Sequence, residues 1–345
     1  MGQLDETLLK LRKKYGAAIV KGSDIRSLEL ERVSTGSLAL DLETGGGFPF
    51  GRIVELFGRE GSGKTAVAIK VAANVQQLGR PVVWIDVEGA FDGEWAALLG
   101  LKLEDLTLAK PQTGEEAGEI LEAVVRSGEC GLVVLDSVGA LMPALEQEKS
   151  MAEEPEKIGG IAMLMTRLCH RVGSSLNTYD AEGGWNNCLV LLLNQVREDL
   201  KIRYGNPEIA PGGHALRHAA SIIIRLNRGE WIEDTLPGGE KVKIGHAIRF
   251  RTEKNKTFSP FRESQFNFYF SGPLKGQIDA VEEILRYGQL RGVVAVEGRT
   301  FRYDDVKAVG RDNFLTILRQ DRPLAERIRS EILKVSIHRQ GGEAR

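Results

Sequence analysis

The chain has 345 residues, 42% of them hydrophobic and 27% charged, and a formal net charge of -2. This length predicts more than one domain, the composition is that of ordinary globular proteins, and the charge excludes a global basic excess but not a local anion-binding surface. The cysteines Cys130, Cys169 and Cys188 lack the spacing of a zinc site or a disulfide framework. Because no signal-peptide or membrane-span pattern is found, we expect a cytoplasmic protein with no membrane partner.

The first helical pattern lies at the N-terminus. Apolar residues recur at helical spacing at Leu4, Leu8, Leu11 and Tyr15, with acidic residues early and basic residues late, as the helix dipole favours. So short a helix is marginal alone and must dock on another surface, either of its own domain or of a neighbouring subunit. We take residues 1–32 as an oligomerisation helix and its linker.

From Ile53 onward, apolar strands alternate with helical stretches. Continuous Val, Ile and Leu runs such as GLVVLDS and CLVLLLNQ indicate an α/β fold with a mostly parallel sheet and helices on both faces. The later strands follow one another without helices, so the sheet should finish antiparallel. A turn-rich segment, SGPLKG, ends the strands. We therefore expect a main α/β core at 33–271 and a small C-terminal α/β domain at 272–345.

The stretch GREGSGKT follows a strand and opens a helix, which is the context that a phosphate-binding P-loop requires. Backbone N–H groups of this turn and the positive helix end would hold phosphates, with Lys64 reaching the outer ones. The alternative is an ordinary turn with a conveniently placed lysine, which leaves the flanking strand and helix unexplained. The expected nucleotide contacts are Gly58, Glu60, Gly61, Ser62, Gly63, Lys64 and Thr65.

Two further strand ends supply carboxylates for phosphate chemistry. Asp136 ends the strand GLVVLDS and would hold the water shell of a magnesium ion that the Thr65 hydroxyl ligates. Asp86 and Glu88 end the strand VVWIDVEG, and one of them would orient or polarise the attacking water. We choose Glu88, on the strength of a resemblance described below. These sites predict ATP and Mg²⁺ as cofactors.

A long loop, NQVREDLKIRYGNPEIAPGGHALR at 194–217, separates two apolar strands. Loops of this length are mostly functional or disordered. Gly212 and Gly213 would let the backbone approach phosphates closely. The alternative is a solvated surface loop, since acidic residues offset much of the basic charge. The basic residues are Arg197, Lys201, Arg203 and Arg217.

Several stretches together resemble the bacterial RecA recombinase family. They are VSTGSLALDLETGGGFPFGRIVELFGREGSGKT, WIDVEGAFD, VVLDSVGAL, LLNQVR, YGNPE, PGGHALRHAAS and EKNKTFSPF, in the family's order from about Leu4 to Lys334. The ordered set is highly specific. The resemblance implies a P-loop RecA-like ATPase core that polymerises on single-stranded DNA, with ATP at the subunit interface, and exchanges strands with a homologous duplex.

The resemblance also implies roles for residues in one subunit's ATP site. Glu88 would activate water beside Lys64, and Gln195 would sense the γ-phosphate at the start of the loop at 194–217, which corresponds to the family's second DNA-binding loop. Three residues match positions near the nucleotide base and ribose. They are Asp92, Trp95 and Phe270.

Lys254 and Lys256 alternate along a strand and share a face, as joint approach to one anion requires. The resemblance implies that they reach the neighbouring subunit's ATP, and we place Arg217 and His218 at the same interface. The alternative is a solvated strand edge, where lysine is common.

The first DNA-binding loop should lie at 146–160, EQEKSMAEEPEKIGG, whose acidic residues suit DNA poorly. We therefore assign contacts to the helix that follows it, with a polar helix face as the alternative. The predicted DNA-binding residues of this helix and of the second loop are Thr166, Arg167, His170, Arg197, Leu200, Ile202, Gly212, Gly213 and His214. Of these, Leu200 and Ile202 would wedge between bases.

Three features depart from the family pattern. The stretch SIHRQGGEAR is not acidic, whereas the family commonly ends in an acidic tail; His218 replaces an aromatic interface residue; and NTYDAEGGWNN, which contains Trp185, is longer than the usual connection. They indicate a divergent member, phage-borne or a paralogue. Two functions stay open: a recombinase of recombinational repair, and a DNA-bound filament scaffold that activates partners such as a LexA-type repressor with little strand exchange.

Overall fold

A computed structural model describes residues 3–15, 30–147, 160–177, 186–198, 208–209 and 211–342. The helices are α1 Gln3–Tyr15, α2 Leu38–Thr44, α3 Lys64–Gln77, α4 Gly93–Leu98, α5 Gly114–Ser127, α6 Ala144–Gln147, α7 Gly160–Leu176, α8 Gly213–Ala219, α9 Ala280–Arg291, α10 Arg311–Gln320 and α11 Arg322–Gly342. The strands are β1 Arg32–Val33, β2 Phe48–Pro49, β3 Ile53–Gly58, β4 Val82–Asp86, β5 Leu106–Ala109, β6 Leu132–Asp136, β7 Leu189–Gln195, β8 Arg197–Glu198, β9 Glu208–Ile209, β10 Ile222–Thr235, β11 Lys241–Asn255, β12 Glu263–Tyr269, β13 Gln277–Ile278, β14 Ala295–Glu297, β15 Thr300–Tyr303 and β16 Val306–Val309.

The largest sheet has the strand order β13-β12-β11-β10-β3-β7-β6-β4-β5 within the described residues. The strands from β10 to β5 pair in parallel, whereas β11, β12 and β13 add antiparallel strands at one edge. The parallel strands are joined by helical crossovers and the antiparallel ones follow each other directly, which is the distinction read from the sequence. The α/β fold with a mostly parallel sheet is confirmed.

Alternate residues of the parallel strands fill two buried layers, because successive side chains of a strand point to opposite faces. Val54 of β3 and Val134 of β6 pack in the layer that contains α3. Ile53 and Val133 pack in the layer that contains α5 and α7. Both faces of the central strands are therefore dry, which explains why these strands are continuous apolar runs rather than alternating ones.

The C-terminal residues form a three-stranded antiparallel sheet, β14-β15-β16, beside α9, α10 and α11. Their apolar side chains, including Leu285, Phe314 and Ile332, belong to the same buried cluster as the α3 layer. Polar contacts join the same surfaces, since Arg329 of α11 lies 2.6 Å from the Asp41 carboxylate of α2. The small C-terminal unit thus packs on the core through both apolar and charged groups.

Glu283 of α9 makes a second polar contact to the core, at the N-terminus of α2. Its carboxylate accepts hydrogen bonds from the Ser37 hydroxyl at 2.8 Å, Leu38 N at 2.9 Å and Ala39 N at 3.1 Å. The first N–H groups of a helix have no partner within the helix, so a carboxylate satisfies them. Among the described residues, none of the helices is long and apolar enough to span a membrane.

Candidate active site

The P-loop connects the end of β3 to the start of α3. Gly63 caps α3 with a φ of 92°, a left-handed conformation that glycine adopts readily. A Cβ on Gly63 would lie 2.4 Å from Ile248 Cδ1, and one on Gly58 would lie 2.2 Å from Leu226 O. The loop is thus pressed against β10 and β11, so these two positions require glycine on steric grounds.

Lys64 is held inside this loop. Its Nζ donates to Gly58 O and to Arg59 O, each at 2.9 Å, and burial lowers the pKa of its ammonium group while Asp136 and Glu88 act in the opposite direction. Two carbonyl oxygens of the loop therefore accept hydrogen bonds from the ammonium group that would otherwise contact a phosphate. Ser62 is also buried, and its hydroxyl has no hydrogen-bond partner among the described residues, whereas Glu60, Gly61 and Thr65 are exposed. The Lys64 ammonium group and the Ser62 hydroxyl, unpartnered in the described part of the chain, both lie at the start of a helix and are suited to binding a nucleotide phosphate.

Carboxylates meet at the ends of β4 and β6. Asp86 and Asp136 are direct partners in the parallel pairing of the two strands, and Glu88 follows two residues after Asp86. Burial, reinforced by the negative charges of Glu88 and Asp86, raises the pKa of Asp136 to about 7, and Lys64 opposes the shift. Like charges that crowd one point disfavour ionisation, so this cluster is suited to a cation.

Glu88 and Asp86 make different contacts. Ser137 Oγ donates a short hydrogen bond to Glu88 Oε1, and Gln195 Nε2 donates to the same oxygen at 2.8 Å. Asp86 instead accepts from Ala90 N at 3.1 Å and Phe91 N at 3.2 Å, so its carboxylate closes the turn after β4. Of the two carboxylates, Glu88 is the one joined to Gln195, at the start of the loop at 194–217.

The donor set suits magnesium held together with a nucleotide. Among the described residues, no group of three or more His, Cys, Asp or Glu side chains could hold a metal ion. Mg²⁺ at phosphate-transfer sites is commonly bound by one or two protein oxygens plus substrate phosphates and waters. Asp136 and the exposed Thr65 hydroxyl fit that requirement, because the remaining positions belong to phosphate and water.

The residues predicted near the base occupy two places. Asp92 caps α4, where its side chain accepts from Trp95 N at 3.0 Å. The Trp95 ring lies edge-on to Phe268, with centroids 6.2 Å apart. Phe270 follows β12 and contacts Trp231, at 6.3 Å between centroids, and His246 of β11. Phe268 and Phe270 are alternate residues along one strand direction, but no ring contact joins Trp95 to Phe270 directly.

The residues predicted to act on a neighbouring subunit meet at the C-terminus of α8. Lys254 Nζ donates to Arg217 O through a short hydrogen bond and to His218 O at 3.1 Å, and Lys256 Nζ donates to His218 O at 3.1 Å. Partial burial and the adjacent charge of Lys256 lower the pKa of Lys254 to about 8. The two ammonium groups share one carbonyl, so the side chains of Lys254 and Lys256 do lie together.

The predicted DNA-binding residues of α7 lie on its exposed side. Thr166, Arg167 and His170 are all exposed, and the Thr166 hydroxyl donates back to Ala162 O at 2.7 Å. The neighbouring Arg171 is paired with Glu122 of α5 at 2.9 Å. Arg167 is an exposed cationic side chain of this face, and it forms no ion pair with another described residue.

The second loop is described only in part. Gly212 caps α8 with a φ of 103°, Gly213 follows with 68°, and His214 is exposed. Arg197 lies in β8, which pairs with β9 across the base of the loop. The predicted positions Leu200 and Ile202, most of the first loop and Trp185 lie outside the described residues.

Two residues that the sequence reasoning did not single out link these sites. Asn194, fully buried, donates from Nδ2 to Glu55 Oε1 at 2.8 Å and to Pro211 O at 2.7 Å. Glu55 of β3 is 3% exposed. The signal was present, because a glutamate in the apolar stretch IVELFG and an asparagine at the end of LVLLLNQ are polar groups in strands buried on both faces.

Comparisons with known proteins agree on one family. A family model described as the RecA N-terminal domain matches residues 2–275. Protein RecA of Ruminococcus albus is 37% identical over 313 residues, 90% of this chain and 74% of the relative. Protein RecA of Thermus thermophilus is 34% identical over 341 residues, 96% and 94% of the two chains, and that of Clostridium acetobutylicum is 33% identical over 332 residues, 95% and 90%.

The family model covers the whole of the P-loop, the carboxylate cluster, Lys254 and Lys256, so the match includes every part of the candidate site. The relatives extend the similarity to almost the full chain, at an identity that leaves about two thirds of the positions changed. The protein is therefore a divergent member of the RecA family, whose members are DNA-dependent ATPases of recombination and repair.

Proposed function

We propose that this chain forms filaments on single-stranded DNA, with ATP and Mg²⁺ bound between neighbouring subunits, and pairs the strand with a homologous duplex. Family membership supports the ATPase and the recombination function. The arrangement of individual residues supports the more detailed proposal. The hydrogen bond from Gln195 to Glu88 is the main support for this proposal, because it joins a candidate catalytic carboxylate to the start of the DNA loop.

Within one subunit, the P-loop amides and Lys64 bind the phosphates, while Thr65 and Asp136 hold the metal. A bound Mg²⁺ would neutralise phosphate charge and help to align the phosphates. Glu88 accepts a proton from the attacking water, and Ser137 and Gln195 fix the orientation of its carboxylate. Gln195 is then placed to exchange its contact with Glu88 for one with the γ-phosphate.

The neighbouring subunit supplies Lys254 and Lys256, with Arg217 and His218 beside them. In the isolated subunit these lysines donate to the α8 carbonyls, which are weaker partners for an ammonium group than a phosphate. Binding of ATP at the interface therefore draws them away from α8. Because one nucleotide touches two subunits and the base of the DNA loop, filament growth and DNA binding are linked.

We further propose that residues 1–32 supply an oligomerisation helix, 33–271 the ATPase core and 272–345 a small C-terminal domain. Helix α1 supports the first assignment, because none of its described side chains is buried and Leu4, Leu8 and Leu9 are exposed. An unpartnered apolar stripe is expected to dock on another chain. DNA contacts come from α7, through Thr166, Arg167 and His170, and from the second loop, through Arg197, Leu200, Ile202, Gly212, Gly213 and His214.

ATP hydrolysis with and without single-stranded DNA tests the proposal. We expect strong stimulation by DNA, with Lys64→Ala as an inactive blank, because the loss of the P-loop ammonium removes the main phosphate contact. Hydrolysis that ignores DNA would contradict the proposal and favour a filament scaffold that recruits partners, such as a LexA-type repressor. Pairing of a homologous duplex by the bare protein then separates the recombinase from the scaffold.

A further inference from the structure

Glu55 lies near the P-loop, near the two ends of the loop at 194–217 and near Lys254. It is a buried residue of β3, three positions before the P-loop residue Gly58. In the sheet, Glu55 pairs with Ile223 of β10, and Ile223 pairs in turn with Lys254 of β11. Paired residues of adjacent strands share a face, so the side chains of Glu55 and Lys254 point to the same side with Ile223 between them.

The first contact of Glu55 is with the ATP side of the sheet. Asn194 precedes Gln195, the residue that donates to Glu88, and its side chain donates one hydrogen to Glu55 and the other to Pro211 O. Pro211 lies two residues before the first residue of α8. Both hydrogens of the Asn194 amide are thus used, and the rotation of this amide is fixed by Glu55 on one side and by the exit of the DNA loop on the other.

The second contact is electrostatic and involves the trans-acting residues. Burial raises the pKa of the Glu55 carboxyl group, while the hydrogen bond from Asn194 and the charges of Arg217 and Lys254 act in the opposite direction and favour its ionised form. Lys254 in turn donates to the carbonyls of Arg217 and His218 at the C-terminus of α8. Both ends of α8 are therefore held by groups that interact with the same buried carboxylate.

We propose that Glu55 is a positioning residue that couples the ATP site to the DNA loop and to the trans-acting lysines, an inference that rests on the proposed function. Through its hydrogen bond with Asn194 it fixes the positions of the adjacent Gln195 and of Pro211. Through its charge it retains Lys254 over α8. When Gln195 leaves Glu88 for a γ-phosphate, the Asn194 amide shifts with it, and the balance between Glu55 and Lys254 changes at the other end of α8.

The test compares wild type with Glu55→Gln, which keeps the shape and an acceptor for Asn194 but removes the charge. Three quantities are measured: ATPase without DNA, the factor by which single-stranded DNA stimulates it, and the factor by which a non-hydrolysable ATP analogue tightens DNA binding. We expect DNA-free kcat and KM within about twofold of wild type and both coupling factors lower by about tenfold, within the range of known couplings between sites.

Glu283→Gln is the matched control, because it removes another buried carboxylate that accepts hydrogen bonds, at the contact between α9 and α2. It should lower stability and leave both coupling factors unchanged. Equal losses of coupling in the two variants, or unchanged coupling in Glu55→Gln, would overturn the inference. If wild type itself shows no stimulation by DNA, the proposed function fails instead, so the two failures are distinguishable.

A second variant, Glu55→Gln with Asn194→Asp, separates folding from coupling. The exchange restores an amide-to-carboxylate hydrogen bond between the two positions, with its direction reversed, but it leaves Pro211 O without the Asn194 donor. We expect the midpoint of thermal unfolding to recover relative to Asn194→Asp alone, while both coupling factors stay low. Recovery of the coupling factors together with stability would show that the pair acts only through folding and would refute the inference.

Discussion

Asp136 and Glu283 are carboxyl groups whose pKa values are both raised to about 7, and their surroundings differ in kind. Around Asp136, burial is reinforced by the negative charges of Glu88 and Asp86. Around Glu283, burial and the weaker effect of the negative charge of Asp41 are opposed by the Ser37 hydroxyl and by two N–H groups at the start of α2. The carboxyl group of Asp136 lies beside two negative charges that repel it, whereas three hydrogen-bond donors satisfy the carboxyl group of Glu283.

The difference separates a site built for a ligand from a contact built for the fold. A cation would relieve the repulsion at Asp136, and Lys64 supplies this only in part, so we propose that metal and nucleotide complete the cluster. The hydrogen bonds at Glu283 are complete within the chain, and they join the C-terminal unit to the core. A raised pKa by itself therefore does not mark a functional residue, and the two groups differ in whether hydrogen bonds within the chain satisfy the carboxylate.

The largest expected effect is at Glu88, which belongs to the repulsive cluster. Glu88→Gln keeps the size of the side chain and an oxygen that can accept from Ser137 and Gln195, but it removes the proton acceptor. We expect kcat for ATP to fall by about 10²–10⁴-fold, with ATP and DNA binding retained. Steady-state hydrolysis and equilibrium binding measure the two quantities, and Asp86→Asn should cause a much smaller loss of kcat. Retained turnover in Glu88→Gln would remove its assigned role.

Asp136→Asn tests the cluster in two directions. We expect the Mg²⁺ concentration for half-maximal hydrolysis to rise by about 10–100-fold, since asparagine holds the metal's waters less strongly. The nucleotide-free protein should become more stable, because the repulsion from Glu88 and Asp86 is lost. Magnesium titrations of the ATPase and thermal unfolding without nucleotide check the pair of effects. An unchanged magnesium requirement would show that Asp136 is a structural group like Glu283.

Glu283 predicts a dependence of stability on pH. The folded chain binds this proton more tightly than the unfolded chain, so the contribution of Glu283 is fully present below its ordinary pKa of 4.5 and is lost as pH rises to about 7. We expect the free energy of unfolding of wild type, relative to Glu283→Gln, to fall by about 1–3 kcal/mol across this range. Denaturant titrations of both proteins measure it. A difference that rises with pH would contradict the assignment.

The smallest effect is expected at Ser37, which accepts from Leu40 N and donates to Glu283. Ser37→Ala removes the cap of α2 and one donor to the carboxylate. We expect a loss of about 1 kcal/mol in the free energy of unfolding, typical of a lost helix cap, with no change in kcat for ATP. Parallel measurements of denaturation and hydrolysis decide this. A fall in kcat at unchanged stability would mean that this contact belongs to the active site after all.

Local patterns in the sequence predicted the parallel core and the P-loop. GREGSGKT between an apolar strand and a helical stretch predicts a phosphate loop from its local pattern, whereas the close contacts of Gly58 and Gly63 with β10 and β11 come from tertiary packing. Strand ends in a parallel sheet converge at one edge, which made Asp86, Glu88 and Asp136 candidates for one site. The choice of Glu88 over Asp86 needed the family resemblance as well.

Contacts between distant segments were not predictable in this way. Glu55 and Asn194 are 139 positions apart, and Glu283 lies more than 240 positions from the N–H groups that it caps. Nothing in the stretch IVELFG specifies which polar group balances its glutamate, because that depends on the order of strands β3, β7, β10 and β11.

The sequence by itself determined the family and the fold class, and it predicted which residues lie near the phosphates, because these depend on local pattern and on the ordered set of motifs. Tertiary structure alone decided that Lys254 and Lys256 donate to carbonyls of α8, that Gln195 contacts Glu88, and that Glu55 accepts from Asn194. The physical reason is that hydrogen bonds and charges act over a few ångströms of space, whatever the separation along the chain.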